Sequence, residues 1–120
     1  MRNFLLWISL FMIVGSWQKV EKKPLIALQI TVLDDKGNVQ EGATVTLYEK
    51  EEDYKQNKNA IKVPEKTNKK GRVMFKWDLK EISYFIRAEK GNMNNDGGGI
   101  KTEKLVKNRI NKVNVIISEM

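Results

Sequence analysis

From Leu28 to Leu33 apolar and polar residues alternate: Leu28, Ile30 and Val32 share one side, Gln29 and Thr31 the other. A side-chain period of two belongs to a β-strand, and no helix gathers such a series on one face. The same period returns three times. Ala43, Val45 and Leu47 oppose Thr44, Thr46 and Tyr48; Val73, Phe75 and Trp77 oppose Met74; Tyr84, Ile86 and Ala88 form a further inward set. Asn114 to Ser118 is a final, strongly apolar strand. No long stretch beyond residue 16 carries apolar residues at helical spacing, and 120 residues leave room for one core only. The pattern predicts a single all-β domain over 26–120, an antiparallel Greek-key β-sandwich of about seven strands.

The connections carry turn chemistry. Asp34-Asp35-Lys36-Gly37-Asn38 and Thr67-Asn68-Lys69-Lys70-Gly71 each offer side-chain oxygens that cap a turn and a glycine able to take positive φ. Glu49 to Asn59 is almost wholly charged or amide and shows no core-facing series, so 49–62 is expected to be a mobile surface insertion, with one helical turn as the alternative. Gly91 to Gly99 reads as a flexible Asn/Gly loop and Ile100 to Val106 as a short edge strand. Tyr84, five residues after Leu79, is either an ordinary core tyrosine or a tyrosine corner, its hydroxyl bonding the backbone across a connection.

The N-terminus has a different logic. Arg2 precedes an apolar run, Phe4 to Val14, and then Gly15-Ser16, the three parts of a secretory signal peptide over 1–16 with cleavage before Trp17. As a helix that run spans only about 16 Å, against a hydrocarbon core of about 30 Å, too short for a lasting anchor. A polar leader, 17–25, follows. The expected location is periplasmic or secreted, with no stable membrane anchor after cleavage.

The chain contains neither histidine nor cysteine. Disulfides, thiolate metal sites, lipid attachment at an N-terminal cysteine and Ser/His/Asp or Cys/His catalysis are therefore excluded within it. The net charge of +7 comes from lysines spread along the chain and interleaved with acids, the pattern of a solvated surface and not of a nucleic-acid site. Gly97-Gly98-Gly99 follows no apolar strand and opens no helix, so it is no phosphate loop. No catalytic, cofactor or metal residues are expected. The one arrangement with ligand spacing is Asn92, Asn94 and Asp96 with Glu103, positions 1, 3, 5 and 12 of a calcium loop, weak for its low charge and its neighbours Lys101 and Lys104. Tyr48, Tyr54 and Trp77 would make a sugar platform only if exposed, and alternation assigns Trp77 to the core.

The stretch Thr67 to Phe75, then Leu79 and Tyr84-Phe85-Ile86-Arg87-Ala88-Glu89, resembles the transthyretin-like, carboxypeptidase-regulatory-like domains and the related B-type repeats of collagen-binding proteins. Val32 to Val45, with its Asp/Gly turn and Gly42-Ala43-Thr44-Val45, is similar to them as well. The resemblance covers 27–90 well and the remainder loosely. It implies an immunoglobulin- or prealbumin-like sandwich that displays loops or serves as an accessory. In the B-type repeats a first-strand lysine and a last-strand asparagine can form an isopeptide bond; here Gln29 and Thr31 stand where that lysine would lie, although Asn114 is present. The expected function is an exported, non-catalytic binding or scaffold module that contacts an envelope or extracellular protein through 49–62 and 91–100. The alternative is a carbohydrate- or small-ligand-binding domain.

Overall fold

The computed structural model describes residues 25–119. The expected signal peptide, its cleavage point and the leader up to residue 24 lie outside the described residues. Among those described, no helix is long and apolar enough to cross a membrane.

The all-β expectation holds. The described residues form seven strands, β1 (Ile26–Asp34), β2 (Thr44–Tyr48), β3 (Glu65–Lys66), β4 (Arg72–Phe75), β5 (Phe85–Lys90), β6 (Met93–Asn94) and β7 (Arg109–Glu119), with one short helix, α1 (Glu51–Gln56). They form one curled sheet in the order β3-β2-β5-β6-β7-β1-β4. Its halves, β4-β1-β7 and β3-β2-β5, close on a common core of Leu28, Ile30 and Val32 from one side and Val45, Leu47 and Ile86 from the other. Each of these six is at most 1% exposed. Burying a side chain of this size contributes about 1.5–3 kcal/mol, which is why the alternating faces decide how the sheet folds over.

One pairing departs from the antiparallel expectation. β1 and β7 run parallel, in register from Ile26 opposite Arg109 to Asp34 opposite Ile117. A parallel pair needs a long crossover, and here the whole intervening chain supplies it. At the other side of β7, the short β6 stitches the two halves together, with Asn94 opposite both Glu89 of β5 and Ser118 of β7. The expected edge strand over 100–106 is reduced to a few contacts with β5. Lys101 bridges Phe85, and Thr102 donates its N–H to the Tyr84 carbonyl while its Oγ1 accepts the Tyr84 N–H.

The turns follow their side chains. Asp34 Oδ1 accepts the backbone N–H of Lys36 and Asn38 at 2.9 and 2.8 Å; the Asn38 N–H above all holds that carboxyl below its usual range. Asn68 Oδ1 does the same for Lys70 and Arg72, whereas Thr67 Oγ1 reaches across to accept the Ala43 N–H and donate to the Gln40 carbonyl. Gly71 closes this turn at φ +74° in a crowded place, where a Cβ would stand 2.9 Å from Val39 Cβ and 3.0 Å from two backbone atoms. Gly71→Ala is therefore expected to cost about 2 kcal/mol, from left-handed strain plus displaced backbone, read as a lower midpoint in urea at unchanged slope.

Tyr84 is a tyrosine corner: it is 1% exposed and its Oη accepts the Lys80 N–H at 2.8 Å. Trp77, assigned to the core by alternation, is instead 70% exposed. β4 stops at Phe75, and both Trp77 and Asp78 take left-handed backbone (φ 65° and 59°), which turns the indole outward. Alternation predicts a face only while the strand continues.

Candidate recognition site

Helix α1 lies in the segment expected to be a mobile insertion. Glu51, Glu52 and Asp53 complement the positive end of its dipole, and Asn57 ends it in left-handed conformation. Six residues are too few to hold a helix in water, and the exposed Lys55–Glu51 pair at 3.6 Å adds only a few tenths of a kcal/mol. What holds it is Tyr54, 3% exposed, whose ring stacks on Tyr48 at 5.9 Å with 15° between planes. The helix thereby covers the outer side of β2 and β5. Thr46, Tyr48 and Arg87, which a two-faced strand would leave to solvent, are buried beneath it.

Arg87, opposite Thr46 in the β2–β5 ladder, is the centre of this contact. Its guanidinium carbon sits 4.1 Å from the centroid of the Tyr54 ring. Nη2 donates to the Tyr54 carbonyl at 2.5 Å, and Nη1 donates to Asp96 Oδ1 at 2.8 Å. The Tyr54 hydroxyl donates to the same Asp96 oxygen at 2.5 Å. Arg87 Nε is buried and has no partner among the described residues. Burial first, and then the bond to Asp96, push the Tyr54 phenol well above its ordinary value of 10.0.

That shift has a definite sign. With the folded value raised, the contribution is complete below the unfolded value near 10 and is lost as pH rises above it, because the unfolded chain ionises first. Folding stability should fall above about pH 10, and Tyr54→Phe should flatten that fall; urea titrations across the alkaline range read both.

The 91–100 segment, expected to be flexible, is fastened from inside. Asn95 is 1% exposed; its Oδ1 accepts the Ala88 N–H at 3.0 Å, and its Nδ2 donates to the carbonyls of Ile86 and Gly99 at 2.9 and 3.3 Å. It substitutes for a strand partner where the chain bulges away from β5. Asn94 Oδ1 accepts the Asp96 N–H at 3.0 Å and aims Asp96 at Arg87. So 49–62 and 91–100, far apart in sequence, form one surface joined through Tyr54, Arg87 and Asp96. Its exposed rim includes Glu52, Lys55, Asn92 and Gly97 to Gly99.

The other sequence candidates fall elsewhere. Asn92, Asn94, Asp96 and Glu103 do not assemble a calcium loop: Asp96 is engaged by a guanidinium, Asn94 by backbone, and Glu103 lies on the return segment past Thr102. Among the described residues no three acids converge in a metal-binding group. Tyr48 and Tyr54 are stacked but buried, so they offer no sugar platform with Trp77. Asn114 is exposed and stands opposite Thr31, with Gln29 opposite Lys112, so the first strand brings it no lysine. Of the new site residues, only Tyr54 left a signal in the sequence, as the single aromatic within a charged stretch.

No protein-family model matches the chain. No curated protein sequence matches it. Among solved structures it is similar to the Bacillus anthracis TIE protein, with a TM-score of 0.56 at 19% identity over 82% of this chain. The chain spans 18% of the length of that protein, and at this identity the likeness is one of fold. It also aligns with the chlorocatechol 1,2-dioxygenase of Pseudomonas putida, with a TM-score of 0.46 at 14% identity, over 84% of this chain and 64% of that one.

Proposed function

We propose that this chain is an exported, non-catalytic binding or scaffold module of the cell envelope, periplasmic or secreted, that contacts a protein partner through 49–62 and 91–100. The observation that carries the reading is the Tyr54–Arg87–Asp96 lock, which joins these segments before any partner arrives. A surface ordered in advance loses less conformational entropy on binding, and loops fixed on a rigid scaffold are where recognition concentrates. Export rests on the Phe4–Val14 apolar run behind Arg2. We read the curled sheet as a Greek-key sandwich of the immunoglobulin or prealbumin kind, in keeping with the resemblance of 27–90 to transthyretin-like, carboxypeptidase-regulatory-like domains. The carbohydrate-binding alternative retains one exposed ring, Trp77.

The test is cross-linked affinity purification of the tagged protein from its native envelope fraction, repeated with Glu52→Lys and Lys55→Glu, which change the rim and leave Tyr54 in place. One stoichiometric protein partner, lost in the double variant while the melting curve is unchanged, supports the reading. No partner, or one indifferent to both changes, overturns it.

A further inference from the structure

A second surface lies at the other end of the strand order, where β3 and β4 are the two sheet edges among the described residues. Among the described residues β4 pairs with β1 alone. Gly71 gives its carbonyl to the Val32 N–H, while Arg72 gives its N–H and carbonyl to Asn68, away from β1. Since backbone direction alternates along an antiparallel strand, Met74 presents its N–H and C=O to the unpaired side too. With the Arg72 pair already taken by Asn68, Met74 is the open position of this edge, and such a position can pair with another strand.

Beside this edge lies an open cleft of about 410 Å³, lined by Lys62, Val63, Glu65, Met74, Phe75, Lys76 and Trp77. Val63 and Trp77 are 80% and 70% exposed, an unusual display for two apolar side chains on one rim. The Trp77 backbone is held there rather than left loose: Lys62 Nζ donates to its carbonyl at 2.6 Å, across two successive left-handed residues. Strained backbone of this type persists where surrounding contacts over-determine it, commonly at binding sites. The surroundings are basic. From Lys62 to Lys80 there are six lysines and Arg72 against only Glu65 and Asp78, and none of Lys66, Lys69, Lys70, Arg72 and Lys76 has a carboxylate partner among the described residues.

We propose that β4 accepts an acidic, extended peptide segment of a partner protein as an added strand, with one apolar side chain of the peptide seated between Val63, Met74 and Trp77. Main-chain bonds to Met74 supply the pairing, the cleft selects an alternate apolar residue, and the uncompensated cations select acidic neighbours. Glu65 opposes an acid placed directly over it and so sets the register. A second copy of this chain is a poorer occupant, since it would bring the same cations to the edge.

Fluorescence anisotropy of the full chain with a labelled peptide alternating glutamate and valine, against one alternating lysine and valine, tests this. The acidic peptide is expected to bind at least about tenfold more tightly, and the margin to shrink with added salt. Trp77→Ala should weaken it by about tenfold, as loss of an interface anchor does. Met74→Pro removes the outward N–H together with the Met74 side chain, a change edge strands accommodate, and should abolish binding while the thermal melt stays cooperative, whereas Met74→Ala keeps the N–H and should only weaken it. Equal binding of both peptides, indifference to Trp77→Ala and Met74→Pro, Trp fluorescence that answers to chito-oligosaccharide and not to peptide, or dimerisation through β4 without peptide binding would each overturn the proposal.

Discussion

Asn95→Ala should lower stability by about 3 kcal/mol, a large loss for an amide in a short polar segment. The asparagine amide pairs with two backbone groups of β5, the Ala88 N–H and the Ile86 carbonyl, and it is 1% exposed. Alanine fills none of that role. It leaves a buried donor and acceptor without partners, each costing about 1–3 kcal/mol, partly offset where water enters beside the glycines. For a domain of this size the thermal midpoint should drop by more than about 10 °C. Asn95→Asp is the informative control. It keeps the acceptor for Ala88 but sets an anion against two carbonyls, so it should be no better than alanine at neutral pH and should recover in acid. A melt within a degree of the parent for Asn95→Ala would mean that the 91–100 segment is not fastened this way.

Arg87→Ala is the second large effect, expected at about 2–3 kcal/mol. Three contacts go together: the bond to Asp96, the bond to the Tyr54 carbonyl and the guanidinium over the Tyr54 ring. The arginine is 8% exposed, but the Asp96 side chain is 45% exposed and can return to water, so the loss stays below that of a fully buried pair. Its distribution matters more than its size. The loss should fall on α1 and 91–100 while the β1–β7 ladder holds, since the Arg87 side chain bonds to Tyr54 and Asp96 and not to β1 or β7. Hydrogen exchange reads that directly: amides of 51–58 should lose protection, and those of 28–32 should keep it. Arg87→Lys should behave nearly as badly, because an ammonium cannot reach the Tyr54 carbonyl and Asp96 in one planar fork. Uniform loss of protection would instead make Arg87 a residue of the global core. Since Arg87 and Asp96 share one network, their double substitution should cost less than the two single changes added.

These residues also lie beyond what local sequence pattern encodes. The inward series 28, 30, 32, then 43, 45, 47 and 84, 86, 88, is buried in full, and the turns at Asp34–Asn38 and Asn68–Gly71 form through the side chains that predict them. Such features rest on contacts close in sequence or on a period of two. The charged segment 49–62 carries no such signal, because one aromatic among acids and lysines makes no periodic pattern. Yet a single buried ring on the outer side of β2 is enough to anchor one turn of helix.

What the sequence determined by itself is the β class, the inward faces, the turns, and the absence of histidine and thiol chemistry, since each depends on residue type and on the two-residue repeat. The tertiary structure alone decided the parallel pairing of β1 with β7, the outward turn of Trp77, and the meeting of Tyr54, Arg87 and Asp96. The parallel pair depends on where a strand returns after the whole domain has been crossed, which no local pattern encodes. Trp77 turns on two backbone angles beyond the end of a strand, and neither residue there is the glycine that would announce them. The polar cluster needs three segments to converge, and only the curled sheet carrying a helix on its outer side brings them within bonding distance.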